Sequence, residues 1–214
     1  MRVLIVGTSG SGKSAVCKEL KARGYDAIET DTDIFNALSI AYFRDKQSGE
    51  GVHMPWPPPK NWHDENDWVW RVDILDQRLQ ASDKSHVFAC GDSRNKNETF
   101  KLFDKIFLLK ADDKTLRQRI LTRGDNYFGK AEDEFAWIIE QNNSLPQEVE
   151  AAGGIMIDAT QPLIKVVDDI LKLVGAKQLS SQDESDSLRR QAHPSSAGKR
   201  QVLREKALRG QNLG

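Results

Sequence analysis

Residues 3–14 constrain this chain more than any other stretch. Val3-Leu4-Ile5-Val6 is an unbroken apolar run ending at a glycine, the pattern of a strand buried on both faces of a parallel sheet. It leads directly into Gly7-Thr8-Ser9-Gly10-Ser11-Gly12-Lys13-Ser14, which fits G-x-x-x-x-G-K-[ST]. Residues 13–23 then read as a helix, with Val16 and Leu20 at i, i+4 and Gly24 as the stop. Glycines let the backbone curl with its N–H groups inward, a nest for phosphate oxygens. The helix start adds its positive end. The candidate nucleotide-binding residues are therefore Gly7, Ser9, Gly10, Ser11, Gly12, Lys13, Ser14 and Ala15. In such a loop the lysine reaches the β- and γ-phosphates and the Ser14 hydroxyl ligates Mg²⁺, so ATP and Mg²⁺ are the expected cofactors.

The rest of the chain repeats the alternation. Short apolar runs at 27–29, 86–90, 105–109 and 155–157 predict further strands. Helices are expected at 34–43, 67–79, 112–123, 131–152 and 162–174, with Pro146 a place for a break in the fourth of these. Pro55, Pro57, Pro58 and Pro59 forbid a regular helix or interior strand there. Strands alternating with helices imply an α/β fold: three α/β/α layers around a five-stranded parallel sheet, the phosphate-loop NTPase architecture. We place one domain at 1–175. Residues 176–214, rich in Ser, Gln, Asp, Arg and Lys, are expected to be a disordered polar tail.

Composition narrows the function. A formal net charge of −1 gives no basic field for nucleic acid or an anionic membrane. No segment approaches the roughly 20 apolar residues of a membrane span. The two cysteines, Cys17 and Cys90, sit in apolar contexts that suit buried thiols. With no signal-peptide pattern after Met1, a cytoplasmic protein is expected. The expected partner is a small-molecule acceptor; a protein partner for the tail is conceivable through Arg189, Arg190, Lys199, Arg200 and Arg204.

Over residues 1–174 the chain resembles the nucleoside-monophosphate-kinase and shikimate-kinase group of small phosphate-loop kinases, AAA-type ATP-binding proteins in the broad sense. The resemblance is strong at the phosphate loop. Thr30-Asp31-Thr32-Asp33 resembles the Asp-x-Asp of shikimate kinases, which implies Asp31 near Mg²⁺ and Asp33 on the acceptor hydroxyl; a helix N-cap is the plainer reading. Cys90-Gly91-Asp92-Ser93-Arg94 is similar to Asp-Gly-Phe-Pro-Arg of adenylate kinases. Cysteine is a poor Mg²⁺ ligand, so the ion is expected to rely on Ser14 and Asp31. Arg94 is a candidate for an acceptor anion and Asp92 for an acceptor hydroxyl or cation, against a surface ion pair. Arg119 and Arg123, at i, i+4, resemble the start of the lid in these kinases, where arginines stack on adenine and clamp the transferring phosphate. Residues 124–130 would be a short lid, with Lys130 a further candidate. A solvated basic helix face is the alternative. Thr160, in Asp158-Ala159-Thr160-Gln161-Pro162, resembles the loop that cups adenine, with a capped strand-to-helix turn as the equal alternative. Trp56, Trp62, Trp68, Trp70, His53 and His63 fall where these kinases bind the acceptor; the same residues can instead pack the proline-rich excursion onto the core. The resemblance implies an ATP-dependent kinase, and the other class left open is an ATP-binding regulatory or adaptor module.

Overall fold

The structure is a computed structural model that describes residues 1–31, 39–55, 59, 62–124 and 126–176. A parallel sheet organises it. Its strands are β1 (Arg2–Val6), β2 (Asp26–Glu29), β6 (Val87–Cys90), β7 (Lys105–Lys110) and β8 (Ile155–Asp158), in the order β2-β6-β1-β7-β8. Every pairing is parallel; β1 sits at the centre, with Ile5 opposite Cys90 on one side and Phe107 on the other. Val3 and Ile5 belong to one apolar cluster, and Leu4 and Val6 to the cluster on the opposite face. That alternation is why the run in β1 carries no polar residue: both faces of the strand are covered.

Helices cover the two faces. On one lie α1 (Lys13–Ala22), α5 (Asp113–Thr122) and α7 (Leu163–Leu173), through Val16, Leu20, Leu116, Ile120, Val167 and Ile170. On the other lies α3 (Val72–Gln80), through Leu75 and Leu79. The long helix α6 (Glu132–Ala151) reaches both clusters, placing Ile138 in the first and Leu145 and Val149 in the second. The three-layer α/β/α fold with five parallel strands matches the sequence expectation.

Two expectations fail. The helix expected over 34–43 is contradicted at its end, because β3 (Ala41–Asp45) is a strand; residues 32–38 lie outside the described ones. The helix expected over 67–79 begins only at Val72, because β5 (Asn66–Trp70) is also a strand. With β4 (Gly51–Val52) these form an antiparallel sheet in the order β4-β3-β5. Cross-strand pairs explain the override. Phe43 faces Trp68, Tyr42 faces Val69 and Ala41 faces Trp70, and aromatic and β-branched pairs favour strands. A short helix, α2 (Trp62–Glu65), precedes β5, and α4 (Lys96–Thr99) follows β6.

Pro146 does not break α6. Proline cannot donate to the carbonyl four residues earlier, that of Asn142. The Lys110 ammonium donates to that carbonyl instead. The Asn142 amide in turn donates to the Ala111 carbonyl at 3.0 Å, tying the helix to the end of β7.

Candidate functional site

The phosphate loop joins β1 to α1. Gly12 stands before the helix at φ 104°, a left-handed conformation that suits glycine. Val16 N–H bonds the Gly12 carbonyl at 3.0 Å, so the preceding amides of Lys13, Ser14 and Ala15 have no partner within the helix. Lys13 folds back over the loop, donating to the carbonyls of Gly7 at 2.7 Å and Thr8 at 3.1 Å. The Thr8 and Ser11 hydroxyls are buried without a hydrogen bond among the described residues. Free amides, a lysine resting on carbonyls and two orphaned hydroxyls are a local polar deficit that an anion relieves. Ser9, Gly10 and the exposed Ser14 complete the loop as expected.

Two carboxylates share the Lys13 field. Asp31 follows β2 and is reached by solvent, with Thr30 Oγ1 donating to its Oδ1 at 2.9 Å. The protein packed around it raises its carboxyl above the ordinary range, while Lys13 and a hydrogen bond from Trp68 pull the other way. Asp92 follows β6. Burial also raises it, against Lys96 and Lys13. In each case burial disfavours the charged carboxylate and the facing cation favours it. Between them stands Gly91, which has no room for a side chain: a Cβ there would lie 1.7 Å from Thr30 Oγ1 and 3.1 Å from Asp31 Oδ1.

Cys90 is not part of this cleft. The residue is 1% exposed, inside the core with Cys17. The neighbouring Cys17 thiol and burial hold it well above the ordinary thiol range. The strand-end acid of adenylate kinases thus has no replacement at residue 90; the carboxylate near the loop is Asp92. Ser14 and Asp31 offer hard oxygen donors of the kind Mg²⁺ takes. No cluster of three His, Cys, Asp or Glu forms a metal site among the described residues.

Arg119 and Arg123 sit differently from each other. Arg119 lies against the loop itself: Nη1 donates to the Gly10 and Ser11 carbonyls at 3.5 and 3.3 Å, and Nη2 to the Ala159 carbonyl at 2.8 Å. It ties the phosphate loop to the turn after β8. Arg123 donates to the carbonyls of Asn126, at 3.1 Å, and Phe128, and Lys130 donates to the Arg123 carbonyl at 3.0 Å. These two cations fasten residues 123–130 to one another. Thr160 does not cap α7, whose N-cap is Pro162. Its N–H and hydroxyl both bond Asp158 Oδ1, at 2.9 and 2.6 Å, forming a turn whose carbonyl at 159 is the one Arg119 takes.

On the acceptor side Arg94 is exposed, stacked 5.4 Å over Trp137 and 3.8 Å from Asp67, which Lys46 and Arg44 also approach. Asp33 and Trp56 lie outside the described residues. Trp62 and Trp70 are buried, and Phe43 packs edge-on against Trp62 and tilted against Trp68. Trp62 and Trp70 therefore act as packing. His63 and Trp137 both meet Phe128. Sequence reasoning missed Lys96 and Asn95. Their partners are partly local, Asp92 and Ser93, and partly from other elements, Glu148 and Trp70, which no local spacing shows.

The family model described as AAA domain matches residues 3–140, more than half of the chain. No curated protein matches in sequence. Among solved structures, an unliganded sugar kinase from Janibacter sp. HTCC2649 is similar over 83% of this chain and 95% of its own, at 17% identity and a TM-score of 0.52. A shikimate kinase from Bacteroides thetaiotaomicron is similar over 82% and 98%, at 14% identity and 0.51. One from Acinetobacter baumannii, in complex with shikimate, is similar over 81% and 92%, at 18% identity and 0.51. These identities show a shared fold, that of small phosphate-loop kinases. With the loop, its lysine and the parallel sheet in place, the chain belongs to the AAA domain family.

Proposed function

We propose that the protein is an ATP-dependent phosphotransferase moving the γ-phosphate of MgATP to a small hydroxyl- or phosphate-bearing acceptor. One observation carries this reading: the Lys13 ammonium, resting on the loop carbonyls, faces two carboxylates, Asp31 and Asp92, at the ends of neighbouring strands. Bound phosphate would draw Lys13 off those carbonyls. Asp31 with Ser14 would hold Mg²⁺, leaving Asp92 for the acceptor, with Asp33 in the role the shikimate-kinase resemblance gives it. Phosphoryl transfer asks mainly for positioning and charge neutralisation, which lysine, metal and arginine supply. The similar solved structures, a sugar kinase and two shikimate kinases, support a small polar acceptor.

An ADP-release screen of the protein against a metabolite panel tests this. At least one hydroxyl- or phosphate-bearing compound should raise ADP release well above the basal rate, and Lys13→Ala should abolish the increase. A basal rate untouched by every compound contradicts the reading.

A second reading, an ATP-binding regulatory module with slow hydrolysis, is favoured by the arginines. Arg119 and Arg123 both spend donors on backbone carbonyls. The same screen separates the two, because the module hydrolyses ATP at an acceptor-independent rate.

A further inference from the structure

Asp92 is held by a lysine that solvent barely reaches. Lys96 is 6% exposed, and lysine is almost never that buried unless paired. Its ammonium lies 3.3 Å from Asp92 Oδ1 and 3.4 Å from Glu148 Oε2 of α6, and donates to the Ser93 carbonyl at 3.1 Å. Three acceptors thus face its three donors. Asp92 Oδ1 also accepts the Ser93 backbone N–H at 3.0 Å. No hydrogen bond reaches Asp92 Oδ2 among the described residues. The carboxylate is anchored through one oxygen and offers the other. The charges that face it are Lys96 of α4, Lys13 of α1 and Asp31 after β2; Glu148 acts on it through Lys96.

The segment carrying Asp92 is itself fixed. Asn95 pairs with the free edge of β5, its Oδ1 accepting the Trp70 N–H at 2.8 Å and its amide donating to the Trp70 carbonyl at 3.0 Å. Ser93 is buried, its hydroxyl on Asn95 Oδ1 at 3.1 Å. A side chain that merely decorated a surface would not need a buried ammonium, a second carboxylate and an asparagine clamp.

We infer that Lys96 is a positioning residue: shared with Glu148, it fixes Asp92 so that the free carboxylate oxygen faces the phosphate loop and receives the hydroxyl of a polar acceptor. The inference rests on the phosphotransferase reading for the acceptor, but the positioning itself is measurable without one. The protein is labelled with carboxyl-¹³C aspartate, the Asp92 signal is assigned by its loss in Asp92→Asn, and its titration is followed without nucleotide. Lys96→Met should raise the Asp92 midpoint by at least about one pH unit, since a cation within ~4–6 Å lowers a carboxylate by about 1–3 units. Lys96→Arg should return it to the wild-type value. Glu148→Gln should move it the other way, downward, because the ammonium is no longer shared. An unchanged midpoint in folded Lys96→Met overturns the inference. Should that variant fail to fold, a midpoint that stays or rises in Glu148→Gln does the same. With an acceptor from the ADP-release screen, Lys96→Met should cut kcat/KM for it about tenfold or more, leave the KM for ATP unchanged, and recover in Lys96→Arg. A screen without any acceptor defeats the phosphotransferase reading while the Asp92 titration stands or falls separately.

Discussion

At the residue scale the fold depends on a few polar side chains doing work that backbone cannot. Lys110 takes the Asn142 carbonyl that Pro146 leaves without a donor. Lys110→Met orphans it, and losing a partner for a buried group costs roughly 1–3 kcal/mol; urea unfolding of the variant should show a loss in that range. Gly91→Ala should be worse, since its methyl collides with Thr30. Overpacking costs about 1–3 kcal/mol or more, and the variant should unfold earlier in urea and bind MgATP poorly, because the collision displaces Asp31. Asp31 itself carries a pH signature. Its carboxyl is raised by the protein around it, so the folded state prefers it protonated. That preference adds stability below the ordinary aspartate range and loses it as pH rises through the raised value. Thermal unfolding from pH 4 to 8 should show Asp31→Asn gaining on the wild type as pH increases; a constant difference contradicts the assignment.

At the scale of elements, local chemistry and tertiary pairing part company. The phosphate loop and the strands flanking it were legible because their residues answer to local demands: glycine for the turn, lysine for phosphate, unbroken apolar runs for a sheet covered on both faces. The small antiparallel sheet was not. Val69, Val72, Leu75 and Leu79 keep helical spacing, yet the chain switches from strand to helix between Trp70 and Val72 because Trp68 and Trp70 pair across to Phe43 and Ala41. Helix α5 obeys its local signal. Asp112 caps it, accepting the Thr115 N–H at 2.7 Å, and the helix delivers Arg119 to the loop. Asp112→Ala should cost about 1 kcal/mol and weaken MgATP binding in proportion to how far α5 frays, read by denaturation and calorimetry together.

At the scale of the whole molecule, the site is assembled where the carboxyl ends of β1, β2 and β6 meet, the place where ligands bind in open parallel sheets. The sequence pointed to 7–14, Asp31 and Arg119, and the fold brings Arg119 against the loop and Asp31 into the field of Lys13. The contact of Arg119 with the Gly10, Ser11 and Ala159 carbonyls is a property of the fold that residue spacing does not show. The sequence reading of Cys17 and Cys90 as buried thiols agrees with the fold, where both lie in the core. The Glu148 half of the Lys96 pairing could not be read, because Glu148 reaches it only when α6 folds back over the sheet.

The central claim is that residues 7–14 seat the triphosphate of MgATP through Lys13. Calorimetric titration of MgATP into the wild type and Lys13→Ala tests it most directly, with circular dichroism showing both folded. The wild type should bind, and the variant should bind at least about tenfold more weakly, the loss of roughly 1.4 kcal/mol from one charge-assisted contact. Equal affinity in a folded Lys13→Ala protein would contradict the account.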